Sequence, residues 1–358
     1  MFCCSNCFLD SEIKAIINGN KEIGNCDFCG SRNVHVYEIG KDQTLAELFE
    51  DLLDVYSPIS ELPTSFPREY TGLMKDILFS NWRIFDLKPD MIYRLITNIC
   101  SDRYHNQSIL FDSPVGIRQS QDRDYLENNS ILKNNCWDDF VEGIKRKNRF
   151  HSDYINKDKL YLFLRCAVKA HHKGEILYRS RICPNSKGFS RREMGAPPDD
   201  KAKGGRVNPT GISVLYLSDS EDTTLYEIRA GVYDYVTVGR FKLQRDIEVI
   251  NLASIDCISP FIGVDYGFDY TQYALNIDHL KMIAQVIAKP LRNDNSLDYL
   301  PTQYISDFIR SKGYDGIEYM STMCRNGSNI AVFDSSLFKC TRTNVYDVKS
   351  ISYTYDHV

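Results

Sequence analysis

The chain has 358 residues, 43% of them hydrophobic, and a formal net charge of −5. That length admits two or three domains with real cores, and the acidic balance argues against a chain-wide nucleic-acid footprint, which needs a basic excess or a strongly basic face. No apolar run reaches the roughly 18–20 residues that span a bilayer, and the opening "MFCCSNCFLDSEIK" lacks the basic start and apolar centre of a secretory leader.

The expectation is therefore a cytoplasmic protein with reduced thiols. Its twelve cysteines then serve metal binding or ordinary burial rather than a disulfide scaffold. Two knuckles come first. Cys4-x2-Cys7 and Cys26-x2-Cys29 are separated by 18 residues, within the C-x2-C-x15–20-C-x2-C spacing of a zinc site. Four thiolates suit a closed, structural Zn2+ with no open position for catalysis. A segment of about 35 residues buries too little surface to fold alone, so a metal staple is physically reasonable. Cys3 adjoins Cys4 and competes with it as a ligand. Residues 1–40 are read as a zinc ribbon.

Residues 41–153 read as a helical domain. In "TLAELFEDLLDVY", Leu45, Leu48, Phe49, Leu52, Leu53 and Tyr56 recur at helical spacing, and Thr44 with Glu47 predicts a capping box. "GLMKDILF" and "PDMIYRLITNIC" continue the pattern, with Pro89 near a helix start. "NNCWDDFVEGIKRK" places Trp137, Phe140, Val141 and Ile144 on one face. These stripes are core faces rather than ligand sites. The basic run "GIKRKNRFH" reads as a solvated helix end. The polar stretch 101–131 reads as loop-rich.

From residue 154 the character changes. "DKLYLFLRCAVKAHH" predicts one amphipathic helix closed by Lys173-Gly174. Short strand-like runs follow: "EILYRSRI", "ISVLYLS", "YEIRAGVYDYVTVGRFKL" and "IEVINL". "PTQYISDFIRSKGYDGIEYMS" predicts helix, glycine turn and strand, and "NIAVFD" a last buried strand. The fold class is α+β.

Three places in this half carry chemistry. Along the strand "LYRSRI", Tyr178 and Ser180 alternate with Arg179 and Arg181; taken alone it reads first as an exposed edge strand with two solvated arginines, whereas a buried arginine would need an anion, because its guanidinium stays charged. In "KGGRVNPTG", Gly204-Gly205 allows close backbone approach, Arg206 offers a fork to phosphate, and Asn208-Pro209 with Gly211 specifies a turn. Glu227 follows the turn "SDSEDTT". Neither a dinucleotide fingerprint nor a P-loop is present. In "DGIEYMSTMCRNGSNIAVFD", Ser321 ends one strand and Asn329 precedes the next. No G-x-S-x-G elbow surrounds Ser321, so it reads as a hydrogen-bonding group rather than a hydrolase nucleophile.

In order, spacing and flanking residues, "LYRSRI", "GGRVNPTGISVLYLS…TTLYEIR" and "YDGIEYMS…NGSNIAVFD" resemble the three blocks of the RES domain, named for its Arg, Glu and Ser. The resemblance covers roughly residues 175–335, within a domain placed at 154–358. The preceding half resembles, more loosely, the zinc-containing HEPN-like extension of some RES proteins. The resemblance implies an ADP-ribosyltransferase-like split-sheet fold and an enzyme for which NAD is the substrate. It implies a catalytic set of Arg179, Glu227, Ser321 and Tyr216, with Tyr178, Arg206, Asn208 and Asn329 binding NAD. Val207 departs from the aromatic residue common in the family, which puts a stacking contact there in doubt. The leading expectation is a glycohydrolase or phosphorylase that cleaves the nicotinamide–ribose bond and acts as a growth-arresting toxin or defence effector. The alternatives are protein ADP-ribosyl transfer at the same site, and a non-catalytic zinc-ribbon and helical binding protein. Expected partners are NAD, an inhibitory antitoxin or regulatory protein, and a second copy of the chain; a membrane and nucleic acid are not expected.

Overall fold

The computed structural model describes residues 1–289 and 296–352. The chain forms two compact units, and each is discontinuous in sequence. One comprises 1–137, 153–163 and 257–280; the other comprises 138–152, 164–256 and 281–358.

The first unit begins with a small antiparallel sheet of β1 (Phe2–Cys4), β2 (Ile23–Gly24) and β3 (Val34–Glu38), in the order β1-β3-β2. The helix Ser11–Gly19 starts where the Asp10 carboxylate accepts the amides of Glu12 at 2.9 Å and Ile13 at 3.0 Å, two of the donors a helix start leaves unpaired. A second sheet is built from β4 (Ser57–Pro58), β5 (Gly72–Leu73) and β6 (Pro114–Gly116). Helices occupy Thr44–Leu53, Met74–Ser80 and Pro89–Ile99, the last with its proline in the first turn. Phe49 is fully buried and stacks near Phe8 and Phe85, and the Trp82 indole donates to the Tyr56 hydroxyl at 2.7 Å.

Two local expectations are corrected here. The capping box at Thr44 does not form: Gln43 is the cap residue without a side-chain bond, and the Asp42 carboxylate accepts the Thr44 amide at 2.9 Å. A carboxylate two residues upstream thus takes the place of the Thr44 hydroxyl. The polar stretch 101–131 is also less loop-like than its composition suggests, with helices at Ser101–Asn106, Ile109–Asp112 and Arg123–Asn129.

The second unit is organised by an eight-stranded sheet. Its strands are β7 (Val168–His171), β8 (Ile176–Cys183), β9 (Leu215–Ser218), β10 (Tyr235–Leu243), β11 (Ile247–Asn251), β12 (Gly316–Met320), β13 (Ser328–Val332) and β14 (Phe338–Asp347), in the order β14-β10-β8-β9-β13-β12-β11-β7. Only β11 and β12 pair in parallel among these neighbours. β8 follows β10 over eight consecutive residue pairs but meets β9 at one, Tyr178↔Ser218. The sheet is therefore split into a three-stranded and a five-stranded half joined at that rung. The α+β class and the split sheet are as expected. Leu215, Leu217, Phe241, Leu243, Ile330 and Val332 anchor the core beside the split, each contributing on the order of 1.5–3 kcal/mol by burial.

The segment read as one helix through His172 divides instead. The helix ends at Cys166, and Val168–His171 forms β7, pairing antiparallel with β11. Long-range pairing and β-branched Val168 override the helical period there. Gly174, with φ +101°, then turns the chain into β8. "YEIR" is not strand either; Glu227 is the last residue of the helix Glu221–Glu227.

Candidate active site at the split of the sheet

The constellation grows from β9. The strand stops at Ser218, and Ser220 accepts the Thr223 amide at 3.1 Å to cap the helix Glu221–Glu227. The amide of Ser180 on β8 donates to Thr224 Oγ1 at 2.9 Å, which ties this helix to the three-stranded half. The helix is seven residues long, and its end delivers Glu227 to the strands of the other half.

There Glu227 Oε1 accepts two hydrogen bonds, from Ser321 Oγ at 2.6 Å and from Asn329 Nδ2 at 2.8 Å. Ser321 follows directly on β12 and is buried. Its oxygen accepts the amides of Met323 at 3.2 Å and Cys324 at 3.1 Å. Those two bonds turn its proton toward the carboxylate. Ser321 is thus a donor to Glu227, consistent with its reading as a hydrogen-bonding group. Asn329 lies on β13, cross-strand from both Ser218 and Tyr319. With Tyr178 opposite Ser218, the register aligns Tyr178, Ser218, Asn329 and Tyr319 in one row across four strands.

Arg179 sits on β8 beside Tyr178. Its Nη1 is buried and has no hydrogen-bond partner among the described residues. Burial, followed by repulsion from Arg181, lowers its pKa to about 10, so it remains cationic at neutral pH. An unpaired buried guanidinium nitrogen is costly, and an anion at this point would satisfy it.

The glycine-arginine loop is arranged differently from a simple phosphate cradle. Arg206 Nη1 donates to the carbonyls of Ile287 at 3.0 Å and Ala288 at 2.9 Å, at the end of the helix Tyr270–Ala288. Its guanidinium also lies 5.1 Å from the ring centre of buried Tyr319, a cation–π distance. Burial raises the Tyr319 hydroxyl to about 12, with the Arg206 charge opposing the shift. Asn208 is buried, and its amide nitrogen is spent on the carbonyls of Lys203, Pro209 and Ile212. Its Oδ1 accepts the Tyr216 hydroxyl at 2.6 Å. Asn208 shapes the loop and holds Tyr216, and its polar atoms are occupied in doing so. Gly205 is required by the same packing, since a Cβ there would lie 2.8 Å from both Asn208 Oδ1 and the Tyr216 oxygen. Val207 is buried, and its carbonyl accepts from Ser306 at 2.7 Å, so this position offers no stacking face.

The structure therefore brings Glu227, Ser321 and Asn329 into direct contact. Tyr178 stands in their cross-strand row, Tyr216 is joined to Asn208, and Arg179 stands beside Tyr178. Sequence reasoning missed Ser218 and Tyr319. Both were visible as members of strands whose neighbours had been singled out, but only the register places them.

The profile of the RES domain matches residues 176–356, just over half of the chain. The chain belongs to the RES domain family. All eight residues expected of the RES site lie inside the matched span. Among solved structures, the RES chain is similar to one in the crystal structure of the M. tuberculosis MbcT-MbcA toxin-antitoxin complex, with 12% identity, 53% of this chain and 92% of that chain covered, and a TM-score of 0.31. No curated protein matches it.

A second cluster lies in the other unit of this RES protein. The sulfur atoms of Cys4, Cys7, Cys26 and Cys29 all lie within 4.8 Å of one another. Individual separations are 3.9 Å for Cys4–Cys7, 3.4 Å for Cys4–Cys29 and 3.4 Å for Cys7–Cys26. Metal–sulfur bonds of about 2.3 Å in a tetrahedron place sulfurs roughly 3.8 Å apart, so the donor set fits a metal ion. The amides of Phe28 and Cys29 point at Cys26 Sγ, at 3.4 and 3.5 Å, as amides do around a metal-bound thiolate. Cys3 pairs with Tyr37 in the sheet and lies outside the cluster; burial raises its thiol to about 12. Of Cys3 and Cys4, the geometry selects Cys4.

Proposed function

We propose that this RES protein consumes NAD by breaking the bond between nicotinamide and ribose. The observation that carries the reading is the Glu227 carboxylate, gripped through one oxygen by Ser321 and Asn329, in the same sheet as Arg179, whose buried Nη1 has no hydrogen-bond partner among the described residues. In that arrangement Oε1 is committed, and Oε2 is directed to the hydroxyls of the nicotinamide ribose. The pyrophosphate supplies the anion that Arg179 lacks. As the C–N bond breaks, nicotinamide leaves as a neutral base with the bonding pair, and the ribose carbon acquires positive character. The fixed carboxylate stabilises that charge, as in glycoside cleavage. Water or inorganic phosphate then bonds to the ribose carbon and yields ADP-ribose or its 1-phosphate.

The remaining residues support this step. Tyr216, set by Asn208, and Tyr178 flank the nicotinamide. Arg206 braces the pocket through Tyr319 and the helix end, so its part is mainly positional, and that of Asn208 is indirect. NAD loss in a cell arrests growth, which fits a toxin or defence effector under the control of an inhibitory protein, as the RES resemblance implies. We assign the cysteine cluster a structural Zn2+, because four sulfurs leave no open position for chemistry.

The test is incubation of purified protein with NAD, with and without phosphate, and identification of the products. Nicotinamide should appear in both reactions, and the sugar product distinguishes hydrolysis from phosphorolysis. Glu227→Gln keeps the shape and removes the charge, and should reduce turnover about 100-fold or more. Near-normal cleavage by a folded Glu227→Gln protein would overturn the assignment.

A further inference from the structure

We propose that Ser218 is a positioning residue that locks the carboxamide of Asn329, and through it the working orientation of Glu227. This rests on the reading of Glu227 as the catalytic carboxylate. Ser218 is buried at the end of β9 and is cross-strand from Asn329. Its Oγ lies 2.7 Å from Asn329 Oδ1. A carboxamide oxygen only accepts, so the hydroxyl proton of Ser218 points at it.

That bond anchors the far end of the Asn329 carboxamide. Because the carboxylate only accepts, the amide nitrogen of Asn329 faces Glu227 and donates to Oε1 at 2.8 Å, with Oδ1 held by Ser218. Turned by half a rotation, the same side chain would present an oxygen to the acceptor-only carboxylate and lose that bond, although Ser218 Oγ can accept from the nitrogen as well as donate to the oxygen. An asparagine side chain has two nearly isosteric orientations; the carboxylate selects between them, and the Ser218 hydroxyl holds the selected one from its other end. Ser321 then donates to the same Oε1 at 2.6 Å. Two donors on one oxygen fix the plane of the carboxylate and leave Oε2 without a hydrogen bond among the described residues. Ser218 is also one member of the Tyr178↔Ser218 rung where the halves of the sheet meet. The residue that orients Asn329 therefore lies at the split itself. Ser218 touches no reacting atom in this scheme; it acts through Asn329.

The experiment compares Ser218→Ala, Ser218→Thr and Ser218→Val with the full-length parent, measuring kcat and KM for NAD. Binding of NAD to each substitution is also measured in a Glu227→Gln background. Thr keeps the hydroxyl, and Val matches the shape of Thr without it, so that pair carries the test if Ala does not fold. The expected result is a fall in kcat of about 10-fold or more for Ala and Val, from loss of one buried hydrogen bond and its orientation. KM and NAD binding should stay within about 2-fold, and Thr should restore kcat. Equal kcat for Thr and Val, or a loss that falls on KM and NAD binding alone, would overturn the proposal while leaving NAD cleavage intact. A parent protein that does not cleave NAD would instead remove the reading on which it rests.

Discussion

Arg179 keeps a charge where most of its water has been taken away, and one of its nitrogens has no hydrogen-bond partner among the described residues. A planar fork can satisfy two phosphate oxygens at once, whereas an ammonium is a point charge. Arg179→Lys should therefore lower kcat/KM for NAD by about 10–100-fold, with most of the loss in binding; steady-state kinetics with a direct binding measurement would check this. Full activity in the lysine variant would reduce Arg179 to a general positive charge. The candidate Arg179, Glu227 and Ser321 could be picked out in the sequence because their flanking residues recur as blocks, and the contact of Glu227 with Ser321 is seen in the fold. The hydrogen-bond partners of Arg206 and Asn208 were not legible, because they are set by folding: Arg206 bonds to carbonyls some eighty positions away, and Asn208 turns inward to its own loop. Ser218 escaped notice because a serine before "DSED" reads as turn chemistry. Its bond to Asn329 spans 111 positions.

At the scale of elements, β7 shows how a strand can be hidden behind a helical pattern. "VKAH" continues the apolar spacing of the helix before it, yet it is held by partners that only the fold supplies. His171 Nδ1 lies 2.8 Å from Glu175 Oε2, and Nε2 lies 2.9 Å from Glu318 Oε2; Lys169 bonds the other oxygen of Glu318 at 2.7 Å. Next along, His172 and Asp246 form an exposed pair at 3.6 Å. The bond to Glu318, reinforced by Glu175, raises the His171 pKa against the effect of burial. Burial pushes Glu318 up, but bonds from His171 and Lys169 outweigh it, and its pKa is lowered. A raised histidine contributes its full stability below the unfolded value of about 6.5 and loses it as pH rises through the folded value. A lowered carboxylate contributes above its ordinary value of 4.5 and loses that as pH falls through its folded value. These two groups should therefore stabilise most between about pH 4.5 and 6.5. Thermal melting followed from pH 4 to 9 should show Tm falling above this window, and His171→Gln should flatten that fall. An unchanged alkaline slope in the variant would show that His171 is not the group responsible.

At the scale of the whole molecule, the α+β class and the split sheet follow from short strand runs and the RES blocks, whereas the compact units do not follow composition. Residues 138–152 join the unit of the large sheet, and 153–163 with 257–280 join the unit of the cysteine cluster. Such grouping is decided by packing between distant segments, which a linear reading does not contain. Elemental analysis should find about one zinc per chain, and a Cys26→Ser/Cys29→Ser double variant should lose it. Its melting temperature should fall because metal binding is linked to folding. NAD cleavage should persist, since none of the four cysteines contributes to the Glu227 constellation; absence of metal from protein purified without chelator would remove the assignment. The five crossings of the chain between units also bear on inheritance. A recombination breakpoint near residue 154 would bring residues 257–280 from one parent and their folding companions, 1–137, from another. Exchange of the first 153 residues with those of a distant relative should therefore damage the recipient, even though the RES blocks would all descend from a single parent.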